Sequence, residues 1–376
     1  MLVESVEHPG TRLCRPPENS FSWAPQSRQR PSQSAETYAL EWLAVEVAAP
    51  LVSVVIPTRN RPQLVERAVR SALDQNLDGI EVVVVIDGPD ADTRETLNRI
   101  RDARLNVLSL LENVGGSEAR NIGVRYSRGK WIAFLDDDDE WLPEKLAKQW
   151  KAAESMAGAY GFVASEFLET TEDAQRVLPR RTPAPGEDFS EYMFARRGWN
   201  SGEGFLQTST WLVSRPLITR VPFTRGLKRC QDLDWLLRAT ALRETEVAIV
   251  PEVLAVFHHD DHGERVSRTA DWRFLYEWAA ANRRYFTSRA YSFFIATFCV
   301  PSAAKQRAGL GTFLFLLQKC TFQGNPSLKC LMLFLACWSL TEERRRTLRA
   351  ALDVFRRATL HRVPGMFRQQ LPGKAA

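Results

Sequence analysis

The clearest pattern in the chain lies between residues 51 and 150, where short apolar, β-branched runs alternate with stretches of helical period. "LVSVVIP" (51–57), "IEVVVVID" (80–87), "LNVLSL" (105–110) and "KWIAFL" (130–135) each have the length and continuity of a buried strand. Between the first two, "RPQLVERAVRSALDQ" sets Leu64, Val65, Ala68, Val69 and Ala72 on one helical face, with Pro62 near the first turn. "SEARNIGVRYSRG" predicts a helix capped by Ser117 and stopped by Gly129, and Pro143 opens another that carries Leu146 and Trp150. Strands of this kind joined by helices predict a mostly parallel sheet covered on both faces. In such sheets ligands bind outside the carboxyl ends of the strands.

The pattern changes on either side. Residues 1–48 are rich in Pro, Ser, Arg and Gln and predict a flexible segment with a lead-in helix near Glu36–Val47. Residues 49–268 read as the main domain, with a strongly patterned half at 49–150 and a loop-rich half at 151–268 suited to facing a substrate. Residues 269–376 are helical and aromatic, with apolar runs such as "GTFLFLLQKC" and "LKCLMLFLACW" alternating with basic stretches.

Composition narrows the class. The chain has 376 residues, 44% hydrophobic and 25% charged, which is ordinary for a soluble globular protein. A net charge of +5 is too mild at this size to argue for nucleic acid, and no nucleic-acid partner is expected. The six cysteines form no CxxC pair and read as reduced thiols of a cytoplasmic protein. No basic-then-apolar leader is evident, and no apolar run approaches the roughly 20 residues that span a bilayer.

The candidate chemistry sits at the strand ends. Four consecutive aspartates, Asp136 to Asp139, follow the fourth apolar run directly. Adjacent carboxylates repel, and an unpaired one costs several kcal/mol to bury. "TRNR" follows the first strand and Asp87 the second, so a parallel sheet gathers three polar clusters at one rim. Clustered carboxylates at a ligand rim suit a hard divalent ion such as Mg²⁺ or Mn²⁺. A solvated acidic loop is the ordinary alternative, and the position after a buried strand argues against it.

The segments "VSVVIPTRNRPQLVERAVRSAL", "VVVVIDGPDADT", "NVGGSEARNIGVRYSRGKWIAFLDDDDEWLPEKL" and "QDLDWLLRA", in this order, closely resemble glycosyltransferase family 2. The resemblance is dense over 52–150 and thinner to about 268. It implies an α/β GT-A fold, with a Rossmann-like, mostly parallel sheet flanked by helices and here a helical C-terminal extension. The activity it implies is inverting transfer from a nucleotide-diphosphate sugar to an acceptor hydroxyl, assisted by Mn²⁺ or Mg²⁺, in glycan or polysaccharide biosynthesis. The acceptor would be a glycan or a lipid-linked saccharide.

By the same resemblance, Pro57, Thr58 and Arg59 lie beside the base and ribose, and Asp87 accepts a hydrogen bond from the base. Asn113, Gly115, Arg120 and Asn121 match a further motif whose arginine sits near the nucleotide. Asp136 and Asp138 form the family's DxD pair. Asp138 and Asp139 are the implied metal ligands, with His258 a late ligand, or His258 and Arg265 phosphate contacts. Asp232 matches the catalytic base, and Asp234, two residues on, is its rival. Trp199 and Trp211 offer faces on which a sugar could stack, although tryptophan is more often core. Ile86, Pro89 and Gln231 depart from the family pattern, where an acid, a serine and an acid are usual.

Other functions compete. A Mg²⁺-dependent phosphotransferase would use Asp136 as nucleophile but leaves "PTRNR" and "ARNIG" unexplained. A catalytically inactive sugar-nucleotide-binding protein is compatible with the three departures. A calcium loop is excluded because Trp141 occupies its glycine position, and no GxGxxG follows the first strand for a dehydrogenase. The arginines at 344, 345, 346, 349, 356 and 357 predict helices that either contact the inner face of a membrane or pack on the domain or on another subunit of a homo-oligomer.

Overall fold

The computed structural model describes residues 49–170, 175–199, 202–258, 271–340 and 344. The expected lead-in helix, Arg265 and the arginines from 345 onward lie outside the described residues.

The four predicted strands are present as β1 (Val52–Thr58), β2 (Ile80–Ile86), β3 (Leu105–Ser109) and β4 (Trp131–Phe134). Their connections are the helices α1 (Pro62–Leu73), α2 (Ala91–Asn98) and α3 (Gly116–Tyr126). All four strands are parallel, in the order β3-β2-β1-β4. The valines and isoleucines of β1 and β2 are buried on both faces, which is why these runs lack polar alternation. The chain builds outward from β1 to β3 and then returns through α3 to β4 on the other side of β1. That reversal opens a crevice at the carboxyl ends of β1 and β4.

The second half extends the same sheet. β5 (Glu140–Trp141) leads to α4 (Lys145–Glu154), followed by β6 (Tyr160–Thr170), β7 (Gln175–Leu178) and α5 (Phe189–Phe194). β8 (Leu212–Ser214), α6 (Arg215–Arg220), α7 (Gln231–Thr240) and β9 (Thr245–His258) follow. The sheet order is β3-β2-β1-β4-β8-β6-β9-β5, with β7 on β6. β8 runs antiparallel between β4 and β6, with Leu212 opposite Ala133. Its amino end therefore lies at the same rim as the carboxyl end of β4.

Two details differ from the sequence-based expectation. α3 is capped by Gly115, whose φ of +84° is the left-handed conformation that glycine adopts without strain, and Ser117 lies inside the helix. The helix ends at Ser127, ahead of Gly129. α3 also comes so close to the sheet that a Cβ on Gly123 would fall 2.4 Å from Cγ1 of Val55.

The C-terminal helices are α8 (Trp272–Ala281), α9 (Ser288–Phe294), α10 (Val300–Lys305), α11 (Leu310–Phe322) and α12 (Leu328–Ser339), with a π-helical turn at Ile295–Cys299. Their apolar core is continuous with Phe194 of α5 and with Leu233 and Leu237 of α7. The five described cysteines form no disulfide. None of the described helices is long and apolar enough to cross a membrane.

Candidate active site

β1 outruns β4 at the rim: Val55 pairs with Phe134, and β1 continues to Thr58. Thr58 therefore stands beside the aspartates that follow β4. Its Oγ1 donates to Asp137 Oδ2 at 2.8 Å. Arg61 Nη1 donates to Asp137 Oδ1 at 2.9 Å and to Asp138 Oδ2 at 3.2 Å. Arg67 donates to the carbonyl of Asp138 at 2.6 Å.

The other two aspartates face the opposite way. Asp136 receives a charge-assisted hydrogen bond from Arg120 Nη2 and another from Gln207 Nε2 at 3.1 Å. Asp139 is 0% exposed, and its Oδ2 accepts from Gln207 Nε2 at 2.5 Å and from Ser209 Oγ at 2.6 Å. Its Oδ1 is buried with no hydrogen-bond donor. Gln207 and Ser209 reach the cluster because the antiparallel β8 begins at this rim.

Electrostatics follow from the crowding. Burial pushes Asp137 up to about 6, against the opposing charge of Arg61 and with a further push from Asp138. Burial raises Asp139 well above the ordinary carboxylate range, and the charges of Asp138 and Asp136 add to the effect. The cluster is short of positive charge, and that shortage is the physical signature of a place where a cation or proton is held.

The nucleotide-side residues are ordered around it. Asp87 is buried at the end of β2, and its two oxygens accept from the backbone N–H groups of Val114 (2.7 Å) and Gly115 (3.0 Å). It thus fixes the loop that starts α3 and keeps lone pairs for a ligand. Arg59 is exposed and donates from Nε (3.2 Å) and Nη1 (2.5 Å) to the side-chain oxygen of Asn113. Pro57 lies in β1. Asn121, expected with this group, instead joins α3 to the Phe223 backbone through bonds of 2.9 and 3.0 Å.

Arg120 is no exposed helix arginine: its side chain is 11% exposed and lies over the Phe223 ring at 5.5 Å. Besides Asp136, it donates to Gln231 Oε1 at 3.0 Å. Gln231, where the family pattern has an acid, still supplies an oxygen acceptor to this arginine. The contact sets the amino end of α7 beside the aspartates. Asp232, the next residue, is half-buried. Burial raises its pKa, backbone N–H groups at the start of α7 oppose that, Asp136 adds to it, and Arg120 opposes. Cys230, which caps α7, holds a left-handed φ of 56°, an uncommon geometry for a residue with a side chain.

The rival carboxylate is committed elsewhere. Asp234 is buried, and its Oδ2 accepts from Thr224 Oγ1 (2.6 Å) and Arg238 Nε (2.8 Å), while Oδ1 accepts from Trp278 Nε1 (3.2 Å). It ties α7 to α8.

One other expectation is corrected. Trp211 is 0% exposed and packs on Phe223, Trp235 and Phe162, so it is core and no sugar platform. Trp199 does remain on the surface, beneath Lys329. Asp139 and His258 have separate partners, and among the described residues no three His, Cys, Asp or Glu side chains stand together as a ligand set. Asp139 turns inward to Gln207 and Ser209, and His258 Nε2 lies 3.2 Å from Glu140 Oε2. Asp136 and Asp138, which keep partial exposure, supply hard oxygen donors at the open side. With the charge shortage, this pair fits a divalent ion completed by phosphate oxygens.

Sequence reasoning missed Arg61, Gln207 and Ser209. Arg61 lies in the "TRNR" cluster, which was itself a signal. Gln207 and Ser209 lie in "FLQTSTWLVSR", whose four polar residues ahead of an apolar run became informative only once β8 was placed antiparallel to β4.

The glycosyl transferase family 2 model matches residues 53–220. Residues 53–220 form a glycosyl transferase family 2 domain. The chain is 26% identical over 254 residues to the amylovoran biosynthesis glycosyltransferase AmsB of Erwinia amylovora, covering 64% of this chain and 82% of that protein. It is 37% identical over 121 residues to TuaG of Bacillus subtilis (strain 168), a glycosyltransferase provisionally named for teichuronic acid biosynthesis. That match covers 32% of this chain and about half, 48%, of the relative. In structure, S. aureus TarS superposes with a TM-score of 0.53 at 17% identity, over 75% of this chain and 50% of TarS. The similarity is one of fold. The family 2 domain thus accounts for β1 to β8 and the aspartate rim, and Asp232 lies just beyond the matched span.

Proposed function

We propose that this chain transfers a sugar from a nucleotide-diphosphate sugar to an acceptor hydroxyl, with inversion, in polysaccharide biosynthesis. The observation that carries the reading is the placement of Asp232. A half-buried carboxylate stands at the helix start that Gln231 ties to Arg120, and through it to Asp136. The nucleotide occupies the β1–β4 crevice, and the acceptor approaches from the α7 side.

Asp232 takes the proton of the acceptor hydroxyl as its oxygen attacks the anomeric carbon. The bond from that carbon to the diphosphate oxygen breaks on the opposite face, which inverts the centre. Asp136 and Asp138 are the residues that would hold Mg²⁺ or Mn²⁺. When bound, the ion supplies positive charge to the leaving diphosphate. Asp139 acts beneath them, holding Gln207 and Ser209, and His258, beside Glu140, would join as a late ligand.

The test is a thermal-shift panel of nucleoside diphosphates with and without Mn²⁺. One base is expected to stabilise the protein, and more strongly with the metal. Asp138→Ala should abolish the metal-dependent part, whereas Asp139→Asn should retain it. Metal-dependent stabilisation lost in Asp139→Asn but kept in Asp138→Ala would reverse the assignment. No stabilisation by any nucleotide would overturn the reading itself.

A further inference from the structure

The last two helices expose apolar side chains in register. On α11, Leu310, Leu314 and Phe322 lie on one face at multiples of four residues, and Leu310 is 70% and Phe322 84% exposed. On α12, Leu328, Met332 and Leu335 repeat at spacings of four and three, with Leu328 76% exposed. The opposite faces are already used: Leu316, Cys320, Cys330, Leu333, Phe334 and Cys337 are buried in the C-terminal core. The exposed stripes are therefore surplus to folding. Scattered surface leucines need no explanation, but two ordered stripes on consecutive helices mark a contact surface.

The charge around them says what kind. Residues 278–341 contain no Asp or Glu, while Arg283, Arg284, Arg289, Lys305, Arg307, Lys319 and Lys329 are basic. Lys305 and Arg307 are exposed immediately before α11. A protein partner could meet an apolar face with either sign of charge. Arg289 is paired with Glu191, and an apolar face in a segment whose own charges are all basic matches a surface that is apolar below and anionic above. α11 and α12 are 13 and 12 residues long, too short to span a bilayer but suited to lying in its interface.

We propose that α11 and α12 form a docking face for an anionic lipid surface, with Leu310, Leu314, Phe322, Leu328, Met332 and Leu335 entering the headgroup–acyl boundary. This places the contact on the described helices rather than on the arginines from 344 onward. It does not depend on the catalytic reading.

The test is flotation of the full chain with phosphatidylglycerol vesicles and, separately, with phosphatidylcholine vesicles at low salt. The protein should float with the first and not with the second. Each basic residue near the surface contributes about fivefold in affinity, so binding should fall steeply with added salt. Leu314→Glu/Phe322→Glu/Leu328→Glu should abolish flotation while keeping the wild-type melting temperature, because these side chains are exposed. Wild-type protein that stays at the bottom at low salt would overturn the proposal. So would a triple variant that floats as well as wild type. A wild type that does not float and is dimeric, with a monomeric triple variant, would assign the face to a second copy of the chain.

Discussion

Asp232→Asn is expected to lower turnover by about 10² or more while leaving nucleoside diphosphate binding intact. The residue stands in the first turn of α7 and makes none of the hydrogen bonds that order Asp87, Arg59 or the Asp136–Asp138 edge. The amide keeps its shape and volume but cannot accept the acceptor's proton. A pH dependence goes with it. Burial and Asp136 raise the pKa of Asp232, so kcat/KM of the wild type should fall, as pH decreases, through a value above the ordinary aspartate range. The sign is that of a base, active only when deprotonated. That acidic limb should vanish from the residual activity of Asp232→Asn. Steady-state kinetics across pH, with nucleotide affinity by calorimetry, check both parts. Equal losses of binding and turnover would remove Asp232 from the role of base.

Asp234→Ala should act on stability, lowering it by about 3–5 kcal/mol. The substitution leaves the guanidinium of Arg238, the hydroxyl of Thr224 and the indole N–H of Trp278 without their shared acceptor. It also opens a cavity between α7 and α8. Urea denaturation measures the loss. Asp234→Asn should recover part of it, because an amide oxygen still accepts from Trp278 or Thr224. Wild-type stability in Asp234→Ala, together with a large loss of turnover, would exchange the roles of the two aspartates.

The contrast between these two residues shows where sequence reasoning stops. Both lie in the first turn of α7 and both are aspartates, and in the sequence only the family resemblance singles out Asp232. Their surroundings are set by what packs against the helix. Thr224 and Trp278 come from a loop and a helix outside the local segment, and they occupy Asp234. Arg120, from α3, reaches Gln231, the residue next to Asp232. The same limit applies to Trp211. Its flat face could serve a sugar, but the packed rings of Phe223 and Trp235, 12 and 24 positions later, make it core.

The chain's own pattern was sufficient for the first four strands, their parallel arrangement and the collection of "TRNR", Asp87 and four aspartates at one rim. Continuous β-branched runs can be buried only between two layers of helices, and a parallel sheet necessarily brings all its strand ends to one side. The direction each aspartate faces was decided by the tertiary structure alone. Four adjacent carboxylates cannot share one environment, so the fold divides them. Thr58 and Arg61 from the β1 end take Asp137 and the near oxygen of Asp138. Gln207 and Ser209, delivered by an antiparallel strand some 70 residues away, take Asp139 inward. Sequence records only that the charges are adjacent, whereas burial and the supply of donors depend on segments brought together from the whole domain.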